Sequence, residues 1–559
     1  MVDKLQMVQQ GGISKGTKGL NLSEDVFAGI DLVLRGGWTA YREYFQVGKG
    51  RDMGFMSVMA FYSKISMGNG EQAITRQWLR LGLHLPLQRL LGVFYTHIGF
   101  FLGQHLVNVA MKALAFMVAI FSLADFEVHR GWAGPAVHMA SQYFTILYLL
   151  FVLATMMPLI LEIGLEMGLR AACRNLGASL LRLNPIFAAF QSKLMGYYFV
   201  NTVYYGGAQY VPTGRGLATS KEGFSKLYRC FSASHTNDGM EALLFLAVSV
   251  GIYYSSTFYA CMVVAIFSWT MAPFLFNPRQ FDKPSEMCQD ICQWFWWLCC
   301  GEGAEDASWT AWSVRLQESR KTASRRWLVL PSGRLLAAVC TLALVLEADP
   351  LPAFAPTLEW AQAFWKLLPP LWHAVLCFFL GMVSGLGVEV PPCDSYWPMA
   401  VVALLVTAAE VSFMEWTRIF EDKTVLALLF HKYICMRFLV EVADNLAVHQ
   451  TGGRRASFLH AACRLWALSW RWVRDLLVGL LLASLCLALT LVPGIGRLHT
   501  CFLFRTCKRT EAVAQERLLS FELSTSGASL SHAALQADAN VLDFLKSFDR
   551  QVTPPASSS

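Results

Sequence analysis

Long apolar segments recur along most of the chain, and they limit its fold more than any other feature. A helix that crosses a bilayer needs about 20 mainly apolar residues. The segments that approach or meet this length are Leu106–Leu123, Phe144–Leu161, Met240–Tyr254, Phe258–Phe276, Leu335–Leu346 with its flanks, Leu367–Val388, Trp397–Met414 and Leu476–Val492. They predict a mainly α-helical polytopic membrane protein with about seven to nine spans.

Composition supports the membrane interpretation. Of the 559 residues 55% are hydrophobic and only 15% are charged, whereas soluble proteins carry about 25% charged residues. Basic residues cluster beside apolar runs, as between Arg315 and Arg326, which is typical of cytoplasmic membrane edges and predicts contact with membrane lipids. No interleaved basic and aromatic motif indicates a nucleic-acid partner.

The apolar and polar segments divide the chain into regions. The predicted N-terminal regions are a cytoplasmic domain at 1–82 with α/β or irregular structure and an interfacial amphipathic segment at 83–101. A first group of membrane helices follows at 102–276 and includes a cytoplasmic or interfacial stretch at 164–236. The remaining regions are a cytoplasmic loop with an aromatic anchor at 277–333, a second group of membrane helices at 334–496 and a polar tail at 497–559. The loops at 164–236 and 277–333 carry more Lys and Arg than the segments opposite them, so the N-terminal domain is expected on the cytoplasmic side.

A polar, glycine-rich opening precedes the membrane helices, and its first pattern is Ser23-Glu24-Asp25. Adjacent carboxylates beside a glycine could supply a general base. The alternative interpretation is the start of a helix, with Ser23 or Asp25 as the N-cap.

The second pattern is Gly48-Lys49-Gly50-Arg51-Asp52. Glycines let backbone N–H groups approach an anion, and Lys49 and Arg51 could hold phosphate oxygens. The spacing is not that of a Walker loop. The alternative interpretation is a solvated turn.

The third pattern is Gly68-Asn69-Gly70-Glu71-Gln72, followed by Arg76 and Trp78. It resembles the combination of a Gln, an Arg and an aromatic ring with which processive sugar polymerases bind the acceptor end and the diphosphate. The alternative interpretation is a turn followed by a helix N-terminus.

Two further sets of residues lie in the predicted membrane helices. His105, Asn108 and Lys112 share one side of the first span, and polar groups at that depth face a partner or an aqueous path. Aromatic rings could stack on sugar rings or lie in the headgroup belt. These aromatic candidates are Tyr148, Trp372, Phe378, Phe379 and Trp397.

Several longer motifs occur in a fixed order, and together they resemble the C-terminal half of callose synthases and fungal 1,3-β-glucan synthases. The motifs include "GGISKGTKGLNLSEDVFAGIDLVLRGG", "EYFQVGKGRDMGF", "GNGEQAITRQWLRLG", "YVPTGRGLATSKEGFSKLY", "SASHTNDGMEALLFL" and "FLFNPRQF". The resemblance is strong over residues 10–315. Beyond them it is a matter of helix pattern.

The resemblance implies a plasma-membrane glucosyltransferase that uses UDP-glucose. It would add glucose, with inversion, to the 3-hydroxyl of a growing β-glucan and export the product. Asp25 would be the base and Glu24 its neighbour. The substrate-binding residues would be Lys49, Arg51, Asp52, Glu71, Gln72, Arg76, Trp78 and Arg215. Lys49 and Arg51 would neutralise the leaving diphosphate, and Gln72, Arg76 and Trp78 would hold the acceptor. Arg215 would line the channel entrance or contact a lipid phosphate. Trp78 departs from the residue usual in the family.

The chain also departs from the family in extent. The first half of the transferase domain and the N-terminal membrane bundle are absent, and no Asp-x-Asp motif provides metal ligands. No cofactor is therefore assigned, and a divalent metal ion stays an open alternative. We expect the chain to be a fragment, or one part of a split enzyme whose partner polypeptide carries the missing half. A regulatory GTPase could control this enzyme. Activity of the chain alone is open. The competing interpretations are a non-catalytic channel or scaffold subunit of a glucan synthase and, on helix count alone, a solute transporter.

Overall fold

The computed structural model describes residues 22–37, 54–124, 133–206, 221–249, 256–299, 308–321, 331–346, 422–449 and 454–504, together with a few isolated positions. Within these ranges the chain forms helices and no strand. The mainly α-helical fold is therefore confirmed for the described residues, and the expected α/β remnant at 1–82 is not.

Four helices form the N-terminal part. They are α1 (Glu24–Leu34), α2 (Phe55–Ala73), α3 (Arg76–His84) and α4 (Leu87–Thr96). The glycines Gly68 and Gly70 lie inside α2, so the expectation of a turn at this pattern is wrong. Both glycines are in close contact with other parts of the chain, and this contact offsets the usual cost of glycine in a helix.

The next helices are α5 (Ile98–Leu123), α6 (Ala133–Met167), α7 (Leu169–Leu181), α8 (Asn184–Tyr205), α9 (Phe224–Phe231), α10 (Asn237–Val248) and α11 (Ser256–Leu275). A π-helical turn, Ser232–Thr236, joins α9 to α10. The remaining helices are α12 (Pro284–Cys299), α13 (Trp309–Lys321), α14 (Pro331–Leu346), α15 (Asp422–His449), α16 (Arg454–Leu491) and α17 (Ile495–His499).

Three described helices are long and apolar enough to cross a bilayer. They comprise Ile98–Leu123, Ser256–Leu275 and the Leu468–Leu491 part of α16, and each overlaps a predicted span. Helices α10 and α14 have only 12 and 16 residues, which is short for a crossing. The predicted spans Leu367–Val388 and Trp397–Met414 lie outside the described residues apart from isolated positions. The total of seven to nine spans stays a prediction.

Helices α3 and α4 expose large apolar side chains. Leu79, Leu83, Leu87 and Tyr95 each expose between 67% and 79% of their surface. Such a face is what a helix lying in the membrane interface presents to lipid. The interfacial assignment of 83–101 stays a prediction that this exposure supports.

Helix α8 lies at the centre of the helical packing, although the sequence predicted a cytoplasmic or interfacial stretch over 164–236. It packs against α2, α5 and α11. Phe190, Lys193 and Leu194 are buried in it, and Ser268 of α11 donates a 2.6 Å hydrogen bond to the carbonyl oxygen of Ile186. Its sequence carries a lysine and few aliphatic residues, so an apolar-run search does not find it.

Helix α16 contacts α9 and α13 through the side chain of Asp475, which is fully buried. Its carboxylate accepts hydrogen bonds from Tyr228 of α9 at 3.2 Å and from Trp309 of α13 at 2.9 Å. Gly479, one turn further, lies so close to Trp294 of α12 that an added Cβ would be 2.0 Å from the indole ring. These contacts fix α9, α12 and α13 on the same side of α16.

Candidate functional site

The first turn of α1 carries the carboxylates of Glu24 and Asp25. Ser23 occupies the N-cap position, although its side chain makes no hydrogen bond to the helix end. The interpretation of this triplet as a helix start is therefore confirmed. Acidic residues suit this position because the free N–H groups favour negative charge there. Asp25 is exposed and Glu24 is half-buried, so the helix start leaves the Asp25 carboxylate accessible.

The C-terminal turns of α2 hold the start of α1 in place. Glu71 accepts a 2.8 Å hydrogen bond from the backbone N–H of Leu22. A Cβ on Gly68 would lie 2.0 Å from the Ser23 hydroxyl oxygen and 3.2 Å from the Ser23 Cβ, so a side chain at this position would force Ser23 to shift. The structure thus brings the first and third sequence patterns together, and Glu71 acts here by positioning the segment that leads into α1.

Gln72 follows Glu71 and is fully buried. Neither polar atom of its amide has a hydrogen-bond partner among the described residues, and the same holds for the buried Oδ1 of Asn69 and Nε1 of Trp78. Buried polar atoms are nearly always paired, because an unpaired one costs about 1–3 kcal/mol. This end of α2 therefore offers several polar atoms suited to a hydrogen-bonding ligand.

The other predicted residues differ in what the structure describes. Arg76 is exposed at the start of α3, and the half-buried Trp78 ring lies with its centroid 6.2 Å from that of His97. The remaining predicted substrate-binding residues, Lys49, Arg51, Asp52 and Arg215, lie outside the described residues. The aromatic candidates Tyr148, Trp372, Phe378, Phe379 and Trp397 lie outside the side chains that the structure describes.

Helix α8 connects this region to a cavity that it forms with α5 and α10. A Cβ on Gly70 of α2 would lie 2.8 Å from the carbonyl oxygen of Phe199 and 2.7 Å from the Cβ of Thr202. One turn earlier in α8, a Cβ on Gly196 would lie 2.8 Å from the Cα of His105 in α5. The two glycines let α8 contact α2 on one side and α5 on the other.

The cavity between α5, α8 and α10, called the polar cavity below, has a volume of about 200 Å³, and seven of its ten lining residues have polar side chains. The lining residues are His105, Asn108, Val109, Lys112, Lys193, Gly196, Tyr197, Val200, Asn201 and Asp238. The sequence-based prediction that His105, Asn108 and Lys112 face a partner or an aqueous path is confirmed. Asn108 also hydrogen-bonds to Ser192 of α8 at 3.3 Å and is buried.

Charged side chains surround one end of this polar cavity. Lys112 Nζ lies 2.9 Å from Asp238 Oδ1 and 2.6 Å from Glu241 Oε2. Lys193 pairs with the other oxygen of Asp238, and its ammonium group lies 4.9 Å from the centroid of the Trp269 ring. Arg437 of α15 approaches Glu241 at 3.7 Å. Charges inside a helical bundle are tolerated only when they are paired or solvated.

Asp238, Glu241, Lys193 and Arg437 are candidate functional residues that the sequence analysis did not assign. The signal was present in the motif "SHTNDGMEALLFL", where two carboxylates three residues apart begin an apolar helix. Such spacing puts both on one face. Lys112 lies 126 residues before Asp238 and 129 residues before Glu241 in the sequence. Lys193 lies 45 residues before Asp238. No local sequence pattern reveals pairs that are so far apart.

The helices and the polar cavity define a helical membrane protein with a carboxylate-bearing helix packed beside its membrane bundle. Comparison with known proteins agrees: the family described as "1,3-beta-glucan synthase component" matches residues 1–334. The chain belongs to this family.

Individual relatives support the same family assignment. Callose synthase 5 of Arabidopsis thaliana is 35% identical over 334 residues, which cover 56% of the chain. Callose synthase 12 of the same plant is 34% identical over 339 residues, which cover 58%. The matched parts span only 17% and 19% of those relatives' own lengths.

Proposed function

We propose that the chain supplies the acceptor side and the membrane passage of a 1,3-β-glucan synthase that uses UDP-glucose. The observation that carries the proposal is the continuity through α8. This helix contacts the Gln72 end of α2 at Gly70 and lines the polar cavity with Lys193 and Asn201. A sugar chain that is extended at α1 and α2 would thus have a polar route among the membrane helices.

In the proposed reaction Asp25 removes the proton from the acceptor 3-hydroxyl. The hydroxyl oxygen attacks the anomeric carbon of glucose from the side opposite UDP, the bond to the diphosphate breaks, and the configuration inverts. Such base catalysis contributes about 10²–10⁴-fold in rate. Lys49 and Arg51 neutralise the departing diphosphate, with Asp52 beside them.

The buried Gln72 amide binds a hydroxyl of the acceptor, and Arg76 and Trp78 complete the acceptor site. Glu71 keeps α1 in register with α2 through Leu22. Arg215 stands at the entrance to the membrane passage. The comparisons with known proteins support membership of the family. The roles of individual residues rest on their chemistry and on the contacts described above.

The experiment compares two variants on one helix, Asp25→Asn and Asp31→Asn. Asp31 lies on α1 and pairs with Arg35 at 3.1 Å on the surface, so it controls for loss of a carboxylate from α1. Membranes that contain the chain, with any polypeptide that co-purifies with it, are given labelled UDP-glucose. Label in alkali-insoluble product that 1,3-β-glucanase digests is measured.

We expect Asp25→Asn to lower incorporation by about 10²-fold or more and Asp31→Asn to leave it nearly unchanged. Both variants should insert into membranes to the same extent. Equal incorporation by wild type and Asp25→Asn would remove the base assignment. Incorporation only when a separate nucleotide-binding polypeptide is present, with no effect of Asp25→Asn, would favour the non-catalytic channel or scaffold subunit.

A further inference from the structure

Helix α7 is separated from both of its neighbours by a bend in the backbone. Gly168, with φ +85°, lies between α6 and α7, and Leu183, with φ +58°, lies between α7 and α8. Among the 13 residues of α7 only Ala172 is buried. The helix therefore lies on the outside of the described part of the chain, and most of its surface is free to contact something else.

One face of α7 carries exposed leucines. Leu169, Leu176 and Leu180 are seven and four residues apart, so they lie on the same side of the helix. They expose between 39% and 74% of their surface. Complete burial of one such side chain contributes about 1.5–3 kcal/mol. This set, called the leucine face below, is therefore suited to an apolar covering.

The leucine face continues onto the end of α6. Leu169 lies beside Gly164 of α6, with its Cδ2 3.6 Å from the position of an added Cβ. Leu161, Leu165 and Met167 of α6 expose between 53% and 85% of their surface. Helix α6 also contains the predicted membrane span Phe144–Leu161. One apolar environment could therefore cover the end of α6 and the leucine face together.

Arginines lie beside the leucine face. Arg170 and Arg174 are four residues apart on an adjoining side of α7, Arg182 is its C-cap, and all three are exposed. Within the part of the chain that the structure describes, none of them forms an ion pair. Helix α7 has no acidic residue, and the nearest carboxylates along the chain are Glu162 and Glu166 of α6, which are also exposed. The five groups together leave an excess of one positive charge.

An occupant must suit both the leucines and the arginines. A soluble anion would pair with the arginines and leave the leucines in water. An apolar protein surface would cover the leucines but would remove water from the neighbouring arginines, which is costly. A bilayer surface offers hydrocarbon and phosphate in adjacent layers, and amphipathic helices with arginines beside an apolar face bind there.

We propose that α7 lies in the headgroup layer of an anionic membrane surface. The leucine face points toward the acyl chains, and Arg170, Arg174 and Arg182 bind lipid phosphates. The amide of Asn184, the first residue of α8, donates a 2.6 Å hydrogen bond to the Ser179 hydroxyl of α7. The lipid surface would in this way fix where the central helix α8 begins. This proposal does not depend on the proposed synthesis of glucan.

The test places a photoreactive side chain on two sides of α7. The variants Leu180→benzoylphenylalanine and Asn175→benzoylphenylalanine put the probe on the leucine face and on a different, exposed side of the helix. The full chain is reconstituted in nanodiscs that contain equal amounts of phosphatidylglycerol and phosphatidylcholine with identical acyl chains. After irradiation, mass spectrometry identifies lipid adducts. We expect lipid adducts at position 180 and few or none at position 175.

The ratio of the two lipids at position 180 measures the preference for anionic lipid. One cation near a lipid surface contributes about 1 kcal/mol, or about fivefold. With an excess of one positive charge, phosphatidylglycerol adducts should therefore exceed phosphatidylcholine adducts by about fivefold. Arg170→Gln with Arg174→Gln makes the same group of charges negative, and the ratio should fall to about one or below.

A matched control removes two cations elsewhere. Lys226→Gln with Lys283→Gln changes the formal charge of the chain by the same amount, but these exposed lysines are already paired with Glu222 and Glu286. This control should keep the fivefold ratio. All variants must elute from gel filtration as the unsubstituted chain does. A double variant that does not is replaced by its two single substitutions, each of which should lower the ratio in part.

Four results would overturn the proposal. The first is lipid adducts at both positions of α7 to the same extent, or at neither. The second is equal amounts of the two lipids at position 180 in the chain with all its arginines. The third is an unchanged ratio after loss of Arg170 and Arg174. The fourth is a peptide adduct in place of lipid at position 180, which would mean that protein covers the leucine face.

Discussion

Lys112 of α5 and Glu241 of α10 lie 2.6 Å apart, nitrogen to oxygen, although 129 residues separate them in the sequence. Glu241 also attracts Arg437, and Asp238 binds both Lys112 and Lys193. Three cations and two carboxylates thus connect α5, α8, α10 and α15. Each charge in the group depends on the others, because an ion without its partner is costly in a low-dielectric interior.

Glu241→Gln should therefore destabilise the protein strongly. The substitution leaves Lys112 and Arg437 with one carboxylate fewer, and loss of one member of a buried pair costs about 3 kcal/mol or more. Thermal unfolding in detergent measures the effect. The control is Glu286→Gln, which removes a carboxylate that pairs with Lys283 at 3.0 Å on the surface and should change the melting temperature little. Similar melting temperatures for both variants would contradict the prediction.

Gly70→Ala should loosen the contact between α2 and α8. The new Cβ would meet the backbone oxygen of Phe199 at 2.8 Å, and a backbone atom in a packed helix cannot move aside cheaply. Overpacking of this kind costs about 1–3 kcal/mol. The matched control is Gly103→Ala in α5, where no atom lies within 4 Å of the added Cβ.

We expect Gly103→Ala to be neutral or stabilising by up to about 1 kcal/mol, because alanine is the better helix former. Thermal unfolding compares the two alanine variants directly. If Gly70→Ala were as stable as Gly103→Ala, the close approach of α2 and α8 would be wrong.

Gln72→Met should separate binding from stability. Its amide is buried and has no partner among the described residues, so a side chain of similar shape without polar atoms should keep or raise the melting temperature. If the amide binds the acceptor, glucan synthesis should fall about tenfold or more, the value of one hydrogen bond to a substrate. Gln289→Met on the exposed face of α12 serves as the control. A lower melting temperature together with unchanged synthesis would assign Gln72 a structural role.

Stability should fall in acid because of His235 in the π-helical turn. Burial lowers its pKa to about 3, and its ring stacks on Phe190 with centroids 3.8 Å apart. Below the ordinary pKa of about 6.5 the unfolded chain binds a proton at this residue and the folded protein does not. The contribution to stability is thus complete above that pKa and is lost as the pH falls toward about 3.

The measurement is the melting temperature of wild type and His235→Gln from neutral pH down to about pH 4. His235 contributes at most about 1.4 kcal/mol per pH unit over this range. The variant should show a flatter dependence, because glutamine does not titrate. Parallel curves would show that other groups control the acid sensitivity.

Some of these features could be predicted from the sequence because their signals are local. The apolar runs predicted α5, α11 and the end of α16. The spacing of His105, Asn108 and Lys112 predicted that all three lie on one side of a helix. The start of α1 at Ser23 followed from residues that favour helix N-termini. Each of these predictions needed only neighbours within about two helical turns.

Other features depend on contacts that are distant in the sequence. The sequence pattern indicated a turn at Gly68 and Gly70. In the structure both lie inside a helix and are in contact with Ser23 and Thr202. The sequence predicted that the segment of α8 belongs to a cytoplasmic or interfacial stretch. The carboxylate that stabilises its Lys193 lies 45 residues later in the chain. Tertiary partners of this kind override local propensity, and one sequence does not display them.

The central position of α8 has a consequence for biogenesis. Lys193 makes this helix a poor candidate to leave the translocon by itself, since a charged residue near the centre of a helix disfavours insertion by about 3 kcal/mol. Asp238 is synthesised 45 residues afterwards. The ribosome must therefore produce α10 before Lys193 meets its counter-ion, so the packing of α8 can be completed only after α10 has been synthesised.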